Sequence, residues 1–455
     1  MQSVQEKLRS LEKLNNDQIN VLQLTGLQGV VRHHYDNNVK YRRMMVELDV
    51  GPDDIRSLDD ISRLPIVEPK LLSQDWYEEF CSVPFSEIGG YLETSGSTGK
   101  PKIIPVAREE ERMIFEQVAM MWHVAGIGSV GLTNGRSVRN IYSMFPFGPW
   151  PSQYFSVHGA ELLGPTIKAG IHMSMEWHRD KLKKFLPADI ITYPSFISFF
   201  YKKLKEIGVS FPIPGLERIC IGGEPFSETF REKMEEVYEV PVFDVYGCGE
   251  IGVTAAECPH SRKSGLMHWY SPGMILEIVD PETKVSVPKG EVGMMLVTNL
   301  WRKSVPIIRY AMGDLLCMTE EKCACGSNFP LVSRIRGRMN DMFQYGAANI
   351  YPWQVYDSVA RAGLCDKFQL VVREVPDGDV LTDTLTLYVE SHDELDEQSC
   401  AARVNQALAE ISIEFDQIVN KIKFRPPISV VRVKPETLFT QSTPKLKRIV
   451  DERRA

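Results

Sequence analysis

The sequence predicts an α/β protein with a large N-terminal domain over residues 1–339 and a small C-terminal α/β domain over residues 340–455. Three observations carry this prediction. From about residue 140 to 250, short apolar runs (140–145, 190–193, 218–222 and 242–246) alternate with amphipathic segments, the pattern of a helix-covered sheet with its loops gathered at one edge. Beyond about residue 341 a second, shorter set begins. There Leu385, Leu387 and Val389 alternate as in a half-buried strand, Cys400, Val404 and Leu408 come next at helical spacing, and 428–433 reads as another strand. Finally, 455 residues exceed what one hydrophobic core organises, which favours one large domain and a smaller one.

Residues 1–75 read as mixed helix, ending in Leu58-Asp59-Asp60-Ile61-Ser62-Arg63-Leu64-Pro65, where acidic caps and a proline mark short connections. A strand is expected at 89–93, then a hydroxyl-rich loop, then a helix over 107–125 whose buried face holds Met113, Ile114, Val118, Met121, Trp122 and Ala125. Strands and turns, including Pro288-Lys289-Gly290, fill 273–316, and Gly337-Arg338 marks a candidate boundary.

Composition narrows the classes. A net charge of −8 gives no reason to expect a nucleic acid or an anionic membrane as partner. No apolar run approaches bilayer length and the polar first residues lack a signal-peptide core, so a cytoplasmic protein is expected. Nine cysteines, an odd number, do not form a disulfide framework; Cys81, Cys220, Cys248, Cys317, Cys365 and Cys400 read as small core residues.

The chemistry concentrates first in Thr94-Ser95-Gly96-Ser97-Thr98-Gly99-Lys100-Pro101-Lys102. Backbone N–H groups, hydroxyls and lysines in such a loop can surround phosphate oxygens. It is not the P-loop of conventional ATPases. The position that needs glycine holds Thr94, and Lys100 is followed by Pro101 instead of Ser or Thr.

Further motifs lie downstream: Gly222-Gly223-Glu224-Pro225-Phe226-Ser227, Tyr246-Gly247-Cys248-Gly249-Glu250, Arg309-Tyr310-Ala311-Met312-Gly313-Asp314, Gly337-Arg338-Met339-Asn340-Asp341 and a C-terminal Lys445-Leu446-Lys447-Arg448. In this order and spacing, from about residue 57 onward, the chain resembles the acyl-adenylate-forming superfamily, and within it the phenylacetate–CoA ligases and related aryl-CoA ligases. The resemblance implies a large adenylate-forming domain and a small mobile one. It also implies ATP, Mg²⁺ and coenzyme A as cofactors, and a reaction in which a carboxylate attacks the α-phosphorus of ATP. Two anions meet there, so the site needs cations and hydrogen-bond donors.

By the same resemblance, Ser95, Gly96, Ser97, Thr98, Gly99 and Lys100 hold the β- and γ-phosphates. Glu250 supplies a carboxylate to Mg²⁺, and Lys445 is the catalytic lysine between substrate carboxylate and α-phosphate. Gly222, Gly223, Glu224, Pro225, Gly247 and Cys248 line the nucleotide, with the glycines allowing close backbone approach. Tyr246 offers its ring to adenine and Asp244 a partner for the amino group, while Asp314 and Arg338 bind the ribose hydroxyls. Two positions depart from the family pattern: Asn340 stands where relatives have the hinge aspartate, and Pro444 where they have glycine before the lysine. Both bear on the second half-reaction.

Cys258, Cys323 and Cys325 with one histidine make up a zinc-ligand set of the structural kind. Spacing leaves His260 and His268 open; relatives with a similar Cys…Gly-Leu-His…Cys-x-Cys set favour His268. Phe145-Pro146-Phe147-Gly148-Pro149-Trp150 reads as an aromatic loop. Phe147, with Ile221 and the backbone at Gly247, is expected to wall an apolar pocket for an aryl acid. The expected partners are thus a small carboxylic acid and coenzyme A, with an amine or a carrier-protein thiol open as alternative acceptors and a homodimer left open. A non-catalytic nucleotide-binding protein is the competing reading, disfavoured by the joint presence of Glu250, Asp314, Arg338 and Lys445.

Overall fold

The computed structural model describes the chain except for residues 1–3, 73–77, 94–101, 129–138, 225, 227, 340–342, 346–347, 365–366, 378–379, 392–393, 395, 424, 436, 439–447 and 455. The chain divides into two compact units, Met1–Pro225 with Met234–Ile335, and Phe226–Lys233 with Arg336–Ala455.

In the first unit, helices α1 (Val4–Glu12), α2 (Asn16–Asn37) and α3 (Val39–Glu47) precede a small antiparallel hairpin, β1 (Ile88–Glu93) and β2 (Ile103–Ala107). The hairpin corrects the expectation of a helix straight after the hydroxyl-rich loop. Ile103, Ile104 and Val106 are β-branched, and pairing Leu92 with Ile104 buries Ile104 and Val106, so a strand intervenes. Helix α4 (Arg108–Val124) comes next, with Ile114, Val118, Met121 and Trp122 buried as their spacing predicts, whereas Met113 is 43% exposed and lies off the buried face.

An eight-stranded sheet forms the centre of this unit. It is built from β3 (Ile141–Phe145), β4 (Thr166–Gly170), β5 (Asp189–Thr192), β6 (Arg218–Gly222), β7 (Val242–Cys248), β8 (Gly252–Ala256), β9 (Leu266–Trp269) and β13 (Leu331–Ser333). The order is β13-β9-β8-β7-β6-β5-β3-β4. Strands β4, β3, β5, β6 and β7 run parallel, and β7, β8, β9 and β13 antiparallel. The parallel strands are joined through α5 (Pro151–Glu161), α6 (Met175–Phe185), α7 (Pro194–Glu206) and α8 (Glu228–Tyr238). Strands β3 and β5 carry unbroken burial, as strands covered on both faces must. A second antiparallel run comprises β10 (Met274–Val279), β11 (Gly293–Asn299) and β12 (Tyr310–Leu316).

The second unit holds β14 (Gly337–Arg338), the hairpin β15 (Phe343–Tyr345) and β16 (Ala348–Ile350), α9 (Pro352–Arg361) and α10 (Glu397–Ile411). Its sheet, ordered β19-β18-β17-β20, joins β17 (Phe368–Asp377), β18 (Val380–Glu390), β19 (Ser429–Val433) and β20 (Ile449–Asp451). Leu385, Leu387 and Val389 meet Cys400, Val404 and Leu408 in one core. Each such aliphatic side chain contributes about 1.5–3 kcal/mol by burial.

Candidate active site

Open α/β sheets bind ligands beyond the carboxyl ends of their parallel strands. At that edge, β6 ends in Gly222-Gly223 and β7 ends in Tyr246-Gly247-Cys248. A Cβ on Gly222 would lie 2.2 Å from the Val245 carbonyl oxygen, and one on Gly247 would lie 2.6 Å from that of Gly252. Crowding between strands therefore already requires these two glycines. Gly223 differs, since its φ of +81° demands glycine while the space around it is open.

Glu250 sits at the β7–β8 turn, 3% exposed, and forms an ion pair with Lys102, which immediately precedes β2. The Tyr310 hydroxyl, at the start of β12, donates to the same oxygen at 3.1 Å, and the Cys248 thiol also hydrogen-bonds the carboxylate. Burial pushes the Glu250 carboxyl up, but the Lys102 charge and the hydrogen bonds from Lys102, Cys248 and the backbone outweigh it, leaving its pKa below the ordinary value. Burial, reinforced by the Glu250 charge, pushes the Cys248 thiol well up, so it stays protonated and donates. The result is a buried carboxylate held ionised beside one ammonium.

Asp314 is presented by a bulge. Met294 pairs with Leu315 but Leu296 with Ala311, so Met312, Gly313 and Asp314 of β12 face the single Met295 of β11. Gly313 takes φ +76° within it. The Tyr246 hydroxyl donates to Asp314 at 2.6 Å, which fixes both the ring and the carboxylate. Asp244 is engaged elsewhere: Arg334 lies 3.1 Å from its carboxylate and 3.5 Å from that of Glu257, and Glu257 accepts the Asp244 N–H at 2.8 Å. Its carboxylate is thus held by a cation rather than presented alone.

Four side chains converge at the other edge of the sheet. Cys258 follows β8, His268 lies on β9, and the β9–β13 register sets Leu331 opposite His268, which brings up the loop carrying Cys323 and Cys325. The three sulfurs and the imidazole nitrogen all lie within 4.8 Å of one another. The Cys258 and Cys323 sulfurs are 3.5 Å apart, and the Cys325 sulfur is 3.4 Å from His268 Nε2. Tetrahedral zinc with bonds of about 2.3 Å needs sulfurs about 3.8 Å apart, so the set has the size of a zinc site. Backbone N–H groups of Ser261 and Ser327 donate to the Cys258 and Cys325 sulfurs, as outer partners of thiolates do. His260 is exposed and outside the cluster.

Phe147 is 48% exposed and meets the His172 ring edge-on, with the loop tied to β1 by the Glu93 N–H on the Pro149 carbonyl. Ile221 is wholly buried within β6. Glu224 lies just past β6, and Arg338 is exposed on β14 of the second unit. Ser95, Gly96, Ser97, Thr98, Gly99, Lys100, Pro225 and Lys445, with Asn340 and Pro444, lie outside the described residues. Tyr310, Glu257 and Arg334 have no role from the sequence, Tyr310 only standing inside a quoted motif. Lys102 is expected with the loop's other lysine beside phosphate, and in the structure it pairs with Glu250.

A buried carboxylate at the β7–β8 turn and a bulge-presented aspartate tied to Tyr246 stand by the carboxyl ends of the parallel strands, the arrangement of an enzyme that activates an acid with a nucleotide. The family described as AMP-binding enzyme matches residues 92–301. The phenylacetate–coenzyme A ligase of Thermus thermophilus is 30% identical over 368 residues, covering 80% of both chains. That of Aromatoleum evansii is 26% identical over 98% of this chain and 97% of its own. Among solved structures, 2-hydroxyisobutyryl-CoA ligase in the postadenylation state, in complex with R3-HIB-AMP, superposes with a TM-score of 0.81 at 23% identity, covering 98% of this chain and 92% of that one. The chain belongs to the AMP-binding, acyl-adenylate-forming enzymes of the phenylacetate–CoA ligase family.

Proposed function

We propose that this protein uses ATP to activate a carboxylic acid, aromatic in the first instance, as its acyl-adenylate and passes the acyl group to the thiol of coenzyme A. In the first step a carboxylate oxygen bonds the α-phosphorus and the bond to pyrophosphate breaks. In the second the thiol attacks the acyl carbon, the carbon–oxygen bond to AMP breaks, and the thiol proton leaves. The observation that carries this reading is the ionised, buried Glu250 beside Lys102, with Asp314 held by Tyr246. The names of its ligase relatives support the same acid–thiol chemistry.

Mg²⁺, when bound, neutralises phosphate charge; Glu250 would hold it. A single protein carboxylate suits an ion that takes its other ligands from phosphates and water. Asp314 with Arg338 would bind ribose, the 95–100 loop the leaving pyrophosphate, and Lys445 the reacting oxygens, delivered by the small domain. Cys258, His268, Cys323 and Cys325 would hold a structural zinc, closed by four protein ligands and so without catalytic access. ATP and coenzyme A as substrates fit a cytoplasmic enzyme, and among the described residues no helix is long and apolar enough to cross a membrane.

The test is ATP–pyrophosphate exchange with phenylacetate, benzoate and 2-hydroxyisobutyrate, followed by AMP release with and without coenzyme A. Exchange that depends on acid, with AMP release accelerated by coenzyme A, is expected. Exchange with none of the acids, or release accelerated only by amines, would contradict the proposal.

A further inference from the structure

The motif that ends in Asp314 begins with Arg309, a residue to which the proposed chemistry assigns no task. Its φ is +43°, in the left-handed region that side-chain-bearing residues rarely occupy. Such backbone persists where its surroundings over-determine it. Arg309 is buried, and its Nε lies 3.1 and 3.2 Å from the two carboxylate oxygens of Glu277 on β10, with Nη2 3.0 Å from Oε1. Nη1 donates to the carbonyls of Ser62 at 2.8 Å and Leu64 at 2.9 Å. The Arg309 N–H donates to Thr298 Oγ1 on β11 at 2.9 Å, and its carbonyl accepts from the Val67 N–H at 3.3 Å. Separate stretches of chain thus converge on one residue.

The strand that Arg309 leads into carries the nucleotide side of the site. Tyr310 reaches Glu250, the Ala311 N–H donates to the Val67 carbonyl at 3.0 Å, and the bulge turns Asp314 to Tyr246. We infer that Arg309 is a positioning residue for adenylation: its clamp on Glu277, Ser62 and Leu64 holds the entry of β12 in a left-handed conformation and so sets where Tyr310 meets Glu250 and Asp314 meets Tyr246. This rests on the roles proposed above for Glu250 and Asp314. Lysine at 309 keeps a charge for Glu277 but lacks the planar fork that also serves two carbonyls. Glycine accepts the backbone angle without holding it.

Arg309→Lys, Arg309→Gly and Glu277→Gln are compared in the full chain by ATP–pyrophosphate exchange, using whichever acid of the panel exchanges fastest. ATP, Mg²⁺ and acid are varied separately, with Glu250→Gln and Asp314→Asn as references. The expected result is a fall in kcat/KM for ATP, by about 10²-fold in Arg309→Gly. A rise in the Mg²⁺ needed for half-maximal exchange should accompany it, with the KM for acid within about twofold of the parent. Arg309→Lys and Glu277→Gln should shift the same parameters less, and Glu277→Gln carries the test if the arginine variants do not fold. Folded variants with unchanged ATP and Mg²⁺ dependence would overturn the inference, as would losses shared equally between ATP and acid. Should Glu250→Gln and Asp314→Asn leave exchange intact, the proposed roles fail and the inference falls with them.

Discussion

At the residue scale, the site turns on the balance at Glu250. Burial raises its pKa; the Lys102 charge and hydrogen bond, the largest opposing effects, lower it together with hydrogen bonds from the Cys248 thiol and the backbone. A carboxyl whose folded pKa is depressed contributes stability that is present above the ordinary value of 4.5 and is lost as pH falls through the folded value. In Lys102→Met burial acts against weaker opposition, so Glu250 should protonate at higher pH. The acidic limb of kcat/KM for ATP, measured by pyrophosphate exchange, should therefore move upward in pH. A limb that stays in place would mean that Lys102 does not hold Glu250 ionised. Glu250, Tyr246 and Asp314 can be singled out in the sequence because they stand in short motifs. Lys102 and Tyr310 stood in such motifs too, yet their task comes from partners 148 and 60 residues away, which no local spacing records.

At the scale of elements, β6, β7, α4 and α10 were legible because their apolar periods match their burial. Strand β2 was not, since its apolar run pairs across the loop with β1 and gains its identity only from that pairing. The glycines of β6 and β7 show the same limit. Their residue type was readable, but the demand on Gly222 and Gly247 comes from neighbouring strands. Likewise β9, whose register with β13 carries His268 to the Cys323–Cys325 loop, brings His268 and not His260 into the cluster. Purified protein should contain about one zinc per chain, and Cys323→Ser should lose it with a fall in Tm of roughly 5 °C or more. Parent protein without zinc, or a variant with unchanged zinc content and Tm, would remove the metal from the account.

At the scale of the whole molecule, the two compact units each enclose a core of their own. The carboxylates Glu250 and Asp314 belong to the first unit, while Arg338 and Lys445 belong to the second. The proposed reaction by way of an acyl-adenylate has its most direct report in the path of one oxygen atom. With acid labelled by ¹⁸O in its carboxylate, attack on the α-phosphorus and later cleavage by coenzyme A leave one labelled oxygen on AMP. Mass spectrometry of the AMP formed with ATP, acid and coenzyme A measures this directly. One ¹⁸O per AMP is predicted; unlabelled AMP, or label appearing in inorganic phosphate with ADP as product, would contradict adenylation.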